Sequence, residues 1–122
     1  MTFYNMDTRT LIVNDYVSLN KAITSEEGQK INDVIRKEFK DGKSVVLDFS
    51  GIEIATTAFL NVVIGTLYDT YKSADLQGLL SFVNYSDATA SRIKKVTKNA
   101  KLFYQNKEQF TKNVEEVMHG DD

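Results

Sequence analysis

Two adjacent hydroxyls, Thr56 and Thr57, stand between Ala55 and Ala58 in the stretch VVLDFSGIEIATTAFLNVVIG, Val45 to Gly65. The stretch begins as a buried strand and ends as a helix, so the pair falls at the corner where one hands over to the other. A threonine at a helix start can accept a hydrogen bond from an orphan backbone amide. It can also take a phosphoryl group, whose charge the positive end of the helix tolerates. Residue types alone leave both readings open. A few residues upstream, Asp48 interrupts the apolar run Val45-Val-Leu-Asp-Phe49. A carboxylate there needs partners, since desolvation would otherwise raise its pKa, and hydrogen bonding to the following Ser50-Gly51 turn is the expected source. Catalysis would require a second group, a base or a nucleophile, and neither such a spacing nor a Gly-rich phosphate loop is present. The chain contains no Cys, which excludes disulfides, thiolate metal sites and cysteine nucleophiles. Its one His, His119, stands in the terminal run HGDD, where neither a catalytic nor a ligand role is expected. The expectation is a protein with no enzymatic activity, no metal and no cofactor.

The elements that must position the corner are legible from spacing. Thr10 to Leu19, TLIVNDYVSL, consists of two β-prone runs around Asn14-Asp15 and predicts an N-terminal β-hairpin. Thr24 and Glu27 have capping-box spacing. Ile31, Val34, Ile35 and Phe39 then form one apolar face, up to a stop at Asp41-Gly42. Val45 to Phe49 predicts a central strand buried on both faces. After the threonines, Leu60, Val63, Ile64, Leu67, Tyr68 and Tyr71 keep helical period, and Gly65 among them predicts a neighbour packed close against its backbone. Asp75 to Gly78 reads as a turn, Leu79 to Val83 as a second buried strand, and Ser86 or Asp87 as the cap of a helix facing inward through Ile93, Val96, Ala100 and Phe103. Lys107 to Met118 predicts a last helix, through Phe110, Val114, Val117 and Met118, before a tail at 119–122. Strands alternating with helices predict one α/β domain over residues 1–122, its core at about 10–104, with a mixed sheet flanked by helices.

At 122 residues, 42% hydrophobic and 26% charged, the chain suits a single globular core. Apolar runs too short to cross a bilayer, and a beginning without a secretory pattern, make a cytoplasmic protein the expectation. The net charge of −2 gives no global attraction to nucleic acid. Locally, Ser91 to Lys101 carries Arg92, Lys94, Lys95, Lys98 and Lys101 and no acid. This run reads either as a solvated helix face or as a docking patch for an acidic partner. Nucleic-acid binding ranks third, because no aromatics interleave with the basic positions.

The residues Leu47, Asp48, Phe49, Gly51, Ile52, Thr56, Thr57, Ala58, Phe59, Leu60, Asn61, Ile64 and Gly65 resemble the core of STAS domains, the anti-sigma-factor antagonist fold. More closely, they are similar to a STAS-like domain family of unknown function, in which LDF-x-G-V leads into Thr-Ser-Ser-Phe-Leu-Asn and Ile-Gly. The resemblance is strongest over Val45 to Tyr71 and continues from Leu11 to about Tyr104. It implies a STAS-like sheet flanked by helices, no catalytic activity, and a protein partner such as a histidine-kinase-like ATPase or anti-sigma-type serine kinase. The partner-binding residues it implies are Thr56, Thr57, Ala58, Phe59 and Asn61, with Asp48, Gly51 and Gly65 as its structural motif. Antagonist STAS domains carry Asp-Ser-Ser-Gly at the corner and are phosphorylated on the second Ser. Aligned from Leu47-Asp48, that acceptor falls on Ala58, which has no hydroxyl, so a phosphoswitch here requires Thr57, one place earlier. The competing reading is a small-ligand sensor for a nucleotide or lipid.

Overall fold

The computed structural model describes the backbone of residues 7–120 and the side chains of residues 7–104. Its central layer is a three-stranded parallel sheet of β1 (Thr8–Ile12), β3 (Ser44–Asp48) and β5 (Leu80–Val83), with β3 in the middle. Leu11, Leu47 and Phe82 lie side by side across it. Leu11, Val45 and Leu47 are buried beneath the helices, while Thr8, Thr10, Ser81 and Val83 stay exposed. Parallel neighbours cannot be joined by a tight turn, so each pairing needs a crossover. The crossover from β1 to β3 contains β2 (Lys21–Ala22) and α1 (Ser25–Lys40). The crossover from β3 to β5 contains β4 (Ile54–Ala55), α2 (Thr57–Val63) and α3 (Ser73–Leu79). β2 and β4 pair in parallel as a separate small ladder, which ties the two crossovers together beside the corner. α4 (Asp87–Gly120) closes the core through Ile93, Val96 and Ala100.

α1 begins where its residues predict. Thr24 Oγ1 accepts from Glu27 N at 3.1 Å, and the Glu27 carboxylate accepts from the Thr24 hydroxyl at 2.8 Å. The other Glu27 oxygen accepts from Ser18 N at 3.1 Å, so the capping acid also fastens the preceding loop. α1 crosses α2 at Gly28, where an added Cβ would stand 3.0 Å from the Phe59 carbonyl oxygen. Gly65 meets α4: an added Cβ would lie 3.5 Å from Val96 Cγ1 and 3.8 Å from Ala100 Cβ. The close neighbour expected at Gly65 is therefore present, although the tighter crossing is at Gly28.

Several expected elements differ. The N-terminal hairpin does not form: Val13–Asp15 is a 3-10 turn, and β1 pairs with β3 instead of with the run that follows it. Burying Leu11 beside Leu47 prevails over the local turn propensity of Asn14-Asp15. The chain does reverse farther on, at Leu19 and Asn20 (φ 57° and 59°), where Ser18 and Lys21 form an isolated antiparallel bridge. Every described strand ladder is parallel, so the antiparallel part of the expected mixed sheet reduces to that bridge. β3 is central but alternates, with Val46 and Asp48 half-buried on the side opposite the helices. Asp75 to Gly78 lies within α3 and is no turn. The helix after the threonines stops at Ile64 and continues as a 3-10 segment, Gly65–Asp69. The buried Asn32 side chain donates to the Val62 and Val63 carbonyls, both at 3.1 Å, and the Thr66 hydroxyl donates to Val62 O at 2.8 Å. These bonds occupy acceptors that another α-turn would use. The two expected C-terminal helices are one continuous α4, with Phe103 exposed and not on the inner face. Side chains of 107–118 and of His119, and residues 121–122, lie outside the described ones.

Candidate functional site

The corner is a short connection held from three sides. Ala55, at the end of β4, is fully buried, and Thr56 N donates to Ala22 O at 3.0 Å, continuing the β2–β4 ladder by one bond. Thr56 has extended dihedrals and is the N-cap of α2. Its hydroxyl accepts from Phe59 N at 3.2 Å and donates to Ile23 O at 2.9 Å. Thr56 is thus a structural cap whose hydroxyl is already used twice. Thr57 is the first residue of α2 and half-buried, Ala58 is exposed, and Asn61 is exposed one turn on.

Phe59 departs from the expected contact set. It is fully buried with Leu60 and Val63, because the helical period that presents 57, 58 and 61 outward turns 59, 60 and 63 toward the core. The exposed aromatic near this surface is instead Phe103 of α4, stacked edge-on against Tyr104 with ring centroids 4.8 Å apart. A groove of about 220 Å³ runs between Asn61, Gly65 and Thr66 on one side and Asn99, Ala100, Phe103 and Tyr104 on the other. Asn61 belongs to both the corner's helix and the groove.

The basic run divides. Arg92 is half-buried and its Nη1 donates to Ala55 O at 3.5 Å, so it reaches over the corner. Lys94, Lys95, Lys98 and Lys101 are exposed, away from the inward Ile93, Val96 and Ala100.

Asp48 ends β3 and serves the turn that follows. Its Oδ1 accepts from Ser50 Oγ at 2.6 Å, Ser50 N at 2.9 Å and Asn84 Nδ2 at 3.1 Å. The Ser50 hydroxyl, then the Asn84 amide and the Ser50 backbone N–H, hold its carboxyl below the usual carboxylate range, outweighing desolvation. Gly51 follows at φ +75°, a conformation that favours glycine.

A polar clamp behind the groove is not apparent from motif reading. Asn32 on α1 donates to Thr66 Oγ1 at 3.0 Å in addition to the two α2 carbonyls. Arg36 Nε donates to Asn32 Oδ1 at 2.8 Å, and its Nη1 and Nη2 donate to Thr70 Oγ1 and Thr66 O, each at 2.9 Å. The sequence signal for it is Asn32 itself, a polar residue on the stripe that holds Gly28, Ile31 and Ile35.

A parallel sheet covered on one side by helices, with its corner at the start of α2, defines a STAS-like α/β domain. The model of the STAS-like domain of unknown function (DUF4325) matches residues 27–90, and the chain belongs to that family. No curated protein and no solved structure matches it. Among the described residues no helix is long and apolar enough to cross a membrane.

Proposed function

We propose that the protein is a non-enzymatic regulatory module that binds a protein partner through the outer side of α2 and the adjoining groove. The observation that carries this reading is continuity of surface: Ala58 and Asn61 are exposed on adjacent turns beside the half-buried Thr57, and Asn61 leads into the groove walled by exposed Phe103. Small side chains beside an exposed aromatic suit a docking surface, since aromatic anchors dominate such contacts. The partner class comes from the STAS resemblance: a histidine-kinase-like ATPase or an anti-sigma-type serine kinase. Docking needs no phosphoacceptor, so Ala58 at the family's acceptor position is compatible with it. Should the partner also phosphorylate the corner, Thr57 is the acceptor, because the Thr56 hydroxyl is held by Phe59 N and Ile23 O.

A nucleotide or lipid pocket is the weaker reading. The groove, at about 220 Å³, is smaller than the ~300–1,000 Å³ of most small-molecule sites. Titration calorimetry with the ATPase or kinase tests the proposal. Ala58→Arg places a long charged chain on an already exposed position and is expected to weaken binding about tenfold or more, roughly 1.4 kcal/mol. Lys95→Ala, on the lysine side of α4, leaves the affinity unchanged. An affinity unaffected by both Ala58→Arg and Asn61→Lys removes this surface as the docking site, and a small molecule retained in native mass spectrometry supports the sensor instead.

A further inference from the structure

Among the described residues Arg92 has no counter-charge. It is half-buried, its one described hydrogen bond is the long 3.5 Å contact to the Ala55 carbonyl, and the ion pair found among these residues joins Lys43 to Glu38 instead. Cations withdrawn from water are ordinarily paired, because their desolvation otherwise goes uncompensated. A guanidinium carries its donors in a planar fork that matches a carboxylate. At the start of α2 that fork is used once.

One stripe of α4 leads from Arg92 to the groove. Arg92, Asn99 and Phe103 are seven and four residues apart, a spacing that brings all three to the same side of the helix. Asn99 and Phe103 stand on one wall, Asn61 stands on the other, and the buried Gly65 and Ala100 lie between them. No lining residue is charged. The groove volume of about 220 Å³ exceeds the ~150 Å³ of a cavity that holds benzene, so one aromatic or leucine side chain fits against Gly65 and Ala100. The exposed amides of Asn61 and Asn99 each offer a donor and an acceptor, which is what an extended backbone needs on either side. From Arg92 to Ala100 the helix rises about 12 Å at ~1.5 Å per residue, a distance that an extended chain spans in about four residues at ~3.3 Å each.

We infer that the corner and the groove together bind one extended, acidic segment of a protein partner. An aromatic or leucine side chain of the segment enters the groove, Asn61 and Asn99 bond the backbone beside it, and a carboxylate about four residues away pairs with Arg92. The inference rests on partner docking at α2 and names what that surface accepts. A single half-buried ion pair is screened little by salt, so the contact stays nearly insensitive to it.

Random linear peptides displayed on phage and selected against the full chain test it, with circular dichroism as the folding control for each variant. The enriched peptides are expected to share an aromatic or leucine residue with an Asp or Glu about four positions away. In fluorescence anisotropy Arg92→Gln, which keeps a donor for the Ala55 carbonyl and removes the charge, weakens them about tenfold, as does Phe103→Ala. Arg92→Glu loses them and regains them when the acid of the peptide is exchanged for Lys, a rescue that a merely structural Arg92 would not give. Enriched peptides without an acid, equal affinity for wild type and Arg92→Gln, a charge exchange that restores nothing, or no enrichment at all overturns the inference. If Ala58→Arg still weakens the proposed ATPase or kinase in calorimetry, docking at α2 stands without this assignment. If neither Ala58→Arg nor Asn61→Lys does, both fall.

Discussion

Thr56 and Thr57 are alike in type and different in task. The Thr56 hydroxyl closes two hydrogen bonds, to the first turn of α2 and to the strand end at Ile23, while Thr57 lies one step inside the helix. Thr56→Ala should therefore cost about 1–2 kcal/mol in urea unfolding, against roughly 0.5 kcal/mol or less for Thr57→Ala. Comparable losses at both positions would contradict the assignment of the cap. Asp48 makes a prediction in pH. A carboxyl held below its unfolded-state pKa contributes stability that is complete above that value, about 3.9, and is lost as pH falls through the folded-state value. Asp48→Asn is accordingly less stable than wild type at neutral pH, and the gap closes in strong acid. Denaturant midpoints measured at a series of pH values check this, and a gap independent of pH would show that the charge is not what stabilises the turn.

The elements meet at contacts of unequal tolerance. Gly28→Ala, which would stabilise an ordinary helix by about 0.5–1 kcal/mol, places a methyl 3.0 Å from the Phe59 backbone oxygen and should instead lower the melting temperature. Gly65→Ala finds ordinary contact distances to Val96 and Ala100 and should be close to neutral. Asn32→Ala leaves the Val63 carbonyl without its Asn32 donor, while Val62 O keeps the Thr66 hydroxyl, and should destabilise by roughly 1–3 kcal/mol. These contacts also mark the limit of what the sequence makes legible. Thr24 with Glu27, the cap at Ser86, whose hydroxyl accepts from Thr89 N at 3.1 Å, the strand around Leu47 and the neighbour at Gly65 could be read because each is encoded in a short window. The hairpin could not: Asn14-Asp15 has the local propensity for a turn, but β1 is decided by a strand more than thirty residues away, at Ser44–Asp48. The 3-10 segment after Ile64 depends on Asn32 in another helix, so no window around Gly65 contains its cause. At the site, capping by Thr56 and the outward Ala58 and Asn61 follow from the period. The burial of Phe59 follows from the same period once the register of α2 is known. The approach of Arg92 to Ala55 joins residues 37 apart and has no local signature.

At the scale of the molecule, a small parallel sheet and its two crossovers bring α2 and α4 together, so that the corner, the groove and the long helix are neighbours. The exposed lysines of α4 do not line the groove, and partner binding at α2 should lose little affinity with added salt, because Lys94, Lys95, Lys98 and Lys101 lie outside the proposed contact. A steep salt dependence would place the partner on the lysines instead. The most direct test of the docking surface is amide hydrogen exchange on the full chain with and without the proposed partner, a histidine-kinase-like ATPase or serine kinase. The predicted result is new protection confined to residues 56–66 and 99–104, the two walls of the groove and the start of α2. Protection on the open side of the sheet, at 8–12 and 81–83, with none at 56–66, would contradict it.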